Sequence, residues 1–361
     1  MVEAQKEHWN DWRWQLRNRI KTPEGLKKYF KNLTEDELKG LEHAAARYPI
    51  AVTPYYLSLA DRENPECPIR KQIVPRYAEV DPSVQTFCDP NALAEEEKIP
   101  HLTHRYPDRA LLTITTMCPV YCRHCMRKRK VGKPERAVTE EEFKRAYDYI
   151  KRTPQIKEVL ISGGDPLVLN TGRLAYFVEK LKGIEHIEVI RIGTRTPVIL
   201  PQRFFDDELL RFLEKNSPLW VVTHFNHPKE ITEDVKHAVR NILKTGNPVL
   251  NQTVLLKGIN DDAKTLEELF RKLIAIGVKP YYLFHCDPIE GVVHFRTTID
   301  KGLKIVARLR GRLSGLAQPT YAVDLPGGKG KVPLCPHYYL KSEGRKHYFR
   351  NYEGEVVVYE F

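Results

Sequence analysis

From residue 110 onward the chain alternates two patterns. Short apolar runs, rich in β-branched and aromatic residues, fall at 110–116 (ALLTITT), 157–161 (KEVLI), 187–193 (IEVIRIG), 219–224 (LWVVTH), 249–255 (VLNQTVL) and 280–285 (PYYLFH). Their length and composition predict strands. Between them lie longer stretches whose apolar residues recur three and four apart, the spacing of one helix face. One such helix is opened by a capping box of Thr139 with Glu142. Six strand–helix units in succession predict a parallel sheet with right-handed crossovers, either an open doubly wound sheet or a barrel. In both, ligands gather at the C-terminal ends of the strands. The distinctive residues fall there. Three cysteines follow the first strand, Ser162-Gly163-Gly164-Asp165 the second, and Cys286-Asp287 the sixth.

The flanking segments read differently. Trp9, Trp12, Leu16 and Ile20 recur at helical spacing and predict an apolar face that packs on a core. Thr34-Glu35-Asp36-Glu37 is a second capping box, opening a helix that runs to about Arg47. Residues 50–100 are proline-rich and without clear periodicity, which predicts an irregular arm or linker. Residues 318–361 hold a strand-like TYAVD, a glycine–lysine loop and a β-rich tail.

Composition narrows the classes. Of 361 residues, 42% are hydrophobic and 29% charged, the balance of a globular protein. No apolar run approaches the ~20 residues of a membrane span. The opening MVEAQKEHWNDWRWQLRNRI lacks the apolar core of a secretory signal. The expectation is a cytoplasmic protein with no membrane partner. A net charge of +11 would suit nucleic acid or an anionic surface. The basic residues, however, are interspersed with acidic ones, and the dense cluster from Arg127 to Lys130 abuts the cysteines. An interior site for phosphate and carboxylate groups also draws on this charge, and no nucleic-acid partner is expected.

The seven cysteines are an odd number. Three of them, in TTMCPVYCRHCMRKRK, have the spacing Cys118-x3-Cys122-x2-Cys125. In a large cytosolic protein this favours metal or redox chemistry over disulfides. Three thiolates in one tight loop can bind three irons of a [4Fe–4S] cluster, leaving the fourth open to a small molecule. The competing reading is zinc, with His124 as fourth ligand, although structural zinc favours paired spacings. A zinc-containing, basic nucleic-acid-binding module is the corresponding non-enzyme alternative.

This loop after a first strand resembles the radical S-adenosylmethionine superfamily. The resemblance implies a full or partial (β/α) barrel whose open iron chelates S-adenosylmethionine. It also implies that the turn Ser162-Gly163-Gly164-Asp165 receives the methionine amino group. A second feature is Asp324-Leu325-Pro326-Gly327-Gly328-Lys329-Gly330-Lys331. It is not a Walker A loop, since no Ser or Thr follows the lysine. By composition it is a surface turn, a phosphate contact or a site for Schiff-base chemistry.

Taken together, HRYPDRALLTITTMCPVYCRHCMRKRK, ISGGDPL, GTRTPV, THFNHPKE, YYLFHCD, HFRTTIDKG and YAVDLPGGKGKVP resemble the lysine 2,3-aminomutase family over nearly the whole chain. The resemblance implies that Lys331 carries pyridoxal 5′-phosphate as an internal aldimine. Lys329 stands where the family usually has glycine. It implies that Asp287 and Asp324 hold the ε-ammonium of the substrate, and that Arg127 receives its carboxylate. Arg105 and Arg109 are placed against the pyridoxal phosphate. Gln252 is placed near S-adenosylmethionine, and Arg195 and His224 lie in matching segments as further cofactor contacts.

The expected fold is α/β, a partial (β/α)6 TIM-like barrel at 101–315. An N-terminal helical region and arm (1–100) precede it, and a C-terminal segment with the cofactor lysine (316–361) follows. The implied activity converts L-lysine to β-lysine, 3,6-diaminohexanoate, by 2,3-migration of the amino group. The alternative is the same chemistry on another amino acid. The implied partners are lysine, a one-electron reductant and further copies of the chain in a homo-oligomer. The larger bacterial relatives carry a C-terminal cysteine cluster for zinc, and no zinc site of that kind is expected here.

Overall fold

A computed structural model describes residues 8–88 and 99–360. Residues 1–7 and 89–98, part of the expected N-terminal region and of the proline-rich arm, lie outside the described residues.

One sheet organises the chain, with strands in sequential order from β1 to β9. β1 (Leu102–Tyr106) is antiparallel to β2 (Arg109–Thr113). From β2 the sheet is parallel through β3 (Glu158–Ser162), β4 (Val189–Gly193), β5 (Trp220–Thr223), β6 (Val249–Leu255), β7 (Val278–His285) and β8 (Thr320–Asp324). β9 (Lys331–Pro333) turns back antiparallel to β8. The crossovers are α1 (Glu140–Lys151), α2 (Thr171–Lys182), α3 (Asp207–Lys215), α4 (Glu233–Lys244), α5 (Ala263–Ala275) and α6 (Ile299–Leu309). The order is that of a partial barrel, six strand–helix units followed by one more parallel strand.

The helices start where the chain offers a side-chain acceptor. Thr139, Asn170, Asp206, Thr232, Asp262 and Thr298 each cap one N-terminus, and Thr139 with Glu142 forms the expected box. Each helix buries one stripe. α5 shows it plainly, with Leu266, Leu269, Phe270 and Leu273 at three- and four-residue spacing. They pack with the inward residues of the strands into one continuous core. Between β6 and β7 the register shifts after Asn251, so that Gln252 faces Tyr282 and Tyr281 is the extra residue. Consecutive residues of a regular strand point to opposite faces. At this bulge both Tyr281 and Tyr282 line the central cavity.

The N-terminal segment differs in detail from the expectation. The first helix covers Trp12–Arg17, and Ile20 instead pairs with Val52 in an isolated bridge. Residues 50–88 are no linker. Helices Pro54–Ser58 and Pro68–Ile73 each begin with proline at the first position, where its fixed φ and missing N–H do no harm. Tyr55, Tyr56, Leu57, Ile69, Ile73 and Val74 are buried in the barrel's own core. Two of the prolines here, Pro54 and Pro68, mark helix starts, and the segment packs on the core. At the other end, β10 (Tyr339–Glu343), β11 (Lys346–Arg350) and β12 (Val356–Glu360) form a separate antiparallel sheet. No described helix is long and apolar enough to cross a membrane.

Candidate active site

A cavity of about 500 Å³ opens inside the barrel at the C-terminal ends of the strands. The residues to which the sequence assigned a ligand or catalytic role all line it: Cys118, Cys122, Cys125, Arg127, Ser162, Gly163, Gly164, Asp165, Arg195, His224, Gln252, Arg105, Arg109, Asp287, Asp324 and Lys331. They come from both ends of a stretch more than 200 residues long, and only the curling of the sheet brings them together.

The cysteine loop follows β2 and is fastened on three sides. Gly164 N–H donates to Thr115 O at 2.6 Å, and Asp165 N–H to Met117 O at 2.7 Å. A Cβ on Gly163 would lie 2.3 Å from Thr115 O, and one on Gly164 2.1 Å from Met117 O. The two glycines are therefore required for the turn to lie against the backbone that leads into Cys118. From the N-terminal segment, Arg19 donates to Cys118 O at 2.5 Å and pairs with Glu135, which also accepts from Tyr121 Oη at 2.6 Å. Beneath the loop, buried Glu79 takes Arg123 and Lys128. Burial would raise the Glu79 pKa, but the two cations hold it at about 2. Lys128 also donates to Arg123 O and Gly291 O. Part of the basic cluster beside the cysteines is thus buried structural pairing.

Burial pushes the Cys118 thiol well above its ordinary pKa and the Cys125 thiol up to about 11. Such desolvated thiols become thiolates when a metal charge replaces the lost hydration. Among the described residues no three His, Cys, Asp or Glu side chains are arranged to hold a single ion. His124 Nε2 lies 3.1 Å from Asn226 Nδ2, and burial holds this imidazole neutral. Three separate thiols on one loop fit the corners of a cluster better than the apex of one zinc tetrahedron.

Behind the loop sits Arg195. Its Nη1 donates to Cys122 Sγ at 2.6 Å and its Nε to His224 O at 3.1 Å. Asp165 accepts from Thr194 Oγ1 at 2.6 Å and from Arg195 N–H at 2.7 Å, bracing the turn after β3 against the end of β4. Burial, then the charge of Arg195, lowers the His224 pKa to about 4, so the ring is neutral near pH 7. Arg127 donates to Ser162 Oγ at 3.1 Å.

Across the cavity, Asp324 ends β8 and Lys331 begins β9. Lys331 Nζ is 3.1 Å from Asp324 Oδ2, and Arg105 Nη1 is 3.4 Å from Asp324 Oδ1. Lys331 Nζ also lies 5.4 Å from the centre of the Phe284 ring. Lys329 is exposed and does not line the cavity. Asp287 is the unusual group. Burial and then the neighbouring Asp324 charge push its carboxyl up to about 7, with Lys331, Arg296 and Arg105 opposing. Arg109 lies 3.8 Å over the Tyr106 ring and pairs with Asp108. Tyr106 itself reaches across the sheet's open side. Its Oη accepts the backbone N–H of Lys331 at 3.0 Å.

The sequence reading missed this role of Tyr106, although the residue lies inside the quoted HRYPDR. It also missed Tyr56, Gln72 and Glu230, which hold Arg195. Glu230 lies in the quoted THFNHPKE, but Tyr56 and Gln72 are more than 100 residues from their partner and carry no local signal.

A parallel partial barrel with a three-cysteine loop after its first parallel strand defines a radical S-adenosylmethionine enzyme, and residues 112–272 match the Radical SAM superfamily model. Residues 306–361 match the Lysine-2,3-aminomutase model. An L-lysine 2,3-aminomutase of Clostridium subterminale is 47% identical over 97% of this chain and 84% of its own. An Aquifex aeolicus protein provisionally named for the same activity is 59% identical over 98% of this chain and 95% of its own. A glutamate 2,3-aminomutase of Clostridioides difficile is 40% identical over 100% of this chain and 85% of its own. The chain belongs to the lysine 2,3-aminomutase family. It is an isomerase of the radical aminomutase type, and the expected cofactor set of [4Fe–4S] cluster, S-adenosylmethionine and pyridoxal phosphate goes with that membership.

Proposed function

We propose that this enzyme acts on L-lysine and moves its α-amino group to carbon 3, giving β-lysine. The observation that carries the substrate assignment is the pair Asp287 and Asp324 facing one cavity with Lys331. In the free protein Asp324 already holds a primary ammonium, that of Lys331, at 3.1 Å. The side-chain ammonium of a lysine substrate has the same chemistry. A cation that leaves water for a closed pocket needs anions in place of its hydration shell. Two carboxylates supply them and repel an acidic side chain, which argues against glutamate.

In this reading Cys118, Cys122 and Cys125 hold the cluster, and Lys331 is the covalent attachment point of pyridoxal phosphate. When bound, the cluster with S-adenosylmethionine supplies a carbon radical that abstracts hydrogen, and pyridoxal phosphate supplies a π-system that stabilises an unpaired electron beside the migrating nitrogen. The chain's own residues bind and orient. Arg127, braced by Ser162, faces the substrate carboxylate. Arg105 and Arg109 supply positive charge for a phosphate. Gln252, His224 and the turn Ser162–Asp165 face S-adenosylmethionine, with His224 as a neutral hydrogen-bonding ring. The barrel walls exclude water from the radical.

The partners follow from the same reading: lysine, a one-electron reductant and further copies of this chain. The homo-oligomer draws support from the tail sheet, where Tyr339, Phe349, Val356, Val357, Val358 and Tyr359 are exposed. The deciding experiment is an anaerobic assay of the reconstituted enzyme with S-adenosylmethionine, pyridoxal phosphate and dithionite. Lysine and glutamate are offered separately and the products resolved by mass spectrometry. β-Lysine without β-glutamate is the expected result, and the reverse pattern refutes the substrate assignment.

A further inference from the structure

The guanidinium of Arg195 is buried, and each of its nitrogens is directed. Nη2 lies 2.6 Å from Glu230 Oε1, 2.6 Å from Gln72 Oε1 and 3.0 Å from Tyr56 Oη, sharing its two N–H groups among these acceptors. Nε is held by His224 O and the residue's backbone N–H by Asp165. This leaves Nη1 aimed at Cys122 Sγ, 2.6 Å away. Glu230 is buried too and is itself fixed. Its Oε1 accepts from Tyr56 Oη at 2.7 Å and Gln72 Nε2 at 3.2 Å, and its Oε2 from the backbone N–H groups of Asn226 at 2.6 Å and His227 at 3.0 Å. The guanidinium cannot turn away from Cys122 without breaking several buried hydrogen bonds, each of which leaves a costly orphan. By contrast Cys125 Sγ receives a neutral backbone N–H, from Arg127 at 3.3 Å.

We propose that Arg195, anchored by Glu230, Gln72 and Tyr56, is a positioning residue that sets the reduction potential of the iron–sulfur cluster by holding a cationic hydrogen bond on the Cys122 ligand. The inference rests on the assignment of the cluster to the three cysteines. The step it governs is a one-electron transfer from an external reductant, which is oxidised, to the cluster, which is reduced. No covalent bond is made or broken. The added electron increases the negative charge on the sulfurs. A fixed cation at one of them stabilises the reduced state more than the oxidised state, and low dielectric strengthens the effect. Arg195 therefore shifts the couple positive and eases reduction. The donors of its guanidinium point at sulfur, carboxylate, amide, phenol and backbone carbonyl, which distinguishes this role from direct capture of S-adenosylmethionine.

The test is potentiometric titration of the full-length reconstituted protein, with the reduced cluster read by electron paramagnetic resonance. Iron and acid-labile sulfide are measured on the same samples. Variants are Arg195→Gln, Arg195→Lys and the double variant Arg195→Gln/Glu230→Gln, which leaves no unpaired buried carboxylate if the single change fails to fold. Arg195→Gln is expected to keep the cluster and lower the reduced-to-oxidised ratio at a fixed poise about tenfold, ~59 mV for a one-electron couple. Arg195→Lys should fall between it and wild type, and the double variant should shift with the same sign by less. Potentials equal to wild type in cluster-loaded variants overturn the proposal. Loss of the cluster from all three also overturns it, since Arg195 would then be a brace for the loop. Absence of a cluster from the wild-type protein would instead refute the cluster assignment itself.

Discussion

At the scale of single residues, Asp287 makes the sharpest demands. With its carboxyl raised to about 7, much of it is protonated in the free enzyme at mildly acidic pH. A neutral carboxyl does not pair with an incoming ammonium. We predict that kcat/KM for lysine falls as pH drops below about 7. The limb should be weaker in kcat, because a bound cation pulls the proton off. Asp287→Asn should remove the limb and cut lysine turnover about 100-fold or more, since an underpaired buried charge typically costs about 3–5 kcal/mol. The sign for stability is opposite. A raised carboxyl pKa contributes stability that is present below the ordinary value near 4 and is lost as pH rises through about 7. Asp287→Asn should therefore raise the thermal midpoint of substrate-free protein at pH 8 and change it little at pH 4.5. A residue that merely capped a turn would lower the midpoint at both. Lys331 gives a second residue-level prediction. Borohydride reduction and peptide mapping should place the pyridoxyl group on Lys331. A label on exposed Lys329 contradicts the assignment.

At the scale of elements, the cysteine loop and the turn after β3 behave as one unit. Gly164 has no room for a side chain, because the obstructing atom is backbone Met117 O at 2.1 Å. Gly164→Ala should displace the segment entering Cys118. We predict at least a twofold loss of bound iron, while far-ultraviolet circular dichroism still reports a folded barrel. Normal iron content in that variant would show that the contact is slack. Elements were also the level at which the sequence was most and least legible. All six expected strands occur, because each buries apolar residues and leads into a capped helix. β1 was invisible because Leu102–Tyr106 is mostly half-exposed and carries site residues such as Arg105 in place of an apolar face. The helices of residues 54–73 were read as linker because prolines at helix starts resemble prolines in loops. The cysteines, the lysine loop and the two aspartates could be found because short spacing or flanking motif marks them. The support of Arg195 could not, because Tyr56, Gln72 and Glu230 meet it only after the chain has folded.

At the scale of the whole molecule, the tail sheet is the feature that a single chain leaves unexplained. In β11 and β12, Phe349 lies opposite Val357 and His347 opposite Tyr359, so Phe349, Val357 and Tyr359 share one face. Tyr339 joins it, its ring 5.4 Å from that of Phe349. Exposed apolar sheets of this kind mark association surfaces. Light scattering should report an oligomer for the wild-type protein, and Phe349→Asp/Val357→Asp should shift it toward monomer at micromolar concentration. An unchanged mass in the double variant would place the interface elsewhere.

The sheet also has two ends that never join. β1 and β9 share no backbone ladder, yet Arg105 meets Asp324 and Tyr106 meets the Lys331 amide across the gap. The barrel is thus zipped along most of its girth and merely buttoned at one seam, with polar buttons that belong to the reaction chamber. Unfastening a button does not unravel the fabric, so we expect this seam to open at lower free energy than the laddered parallel strands. Amides of β1 and β9 should exchange hydrogen early in the empty enzyme and slow down when a diamine-bearing guest occupies Asp324. Filling the chamber and closing its side would then be a single thermodynamic event.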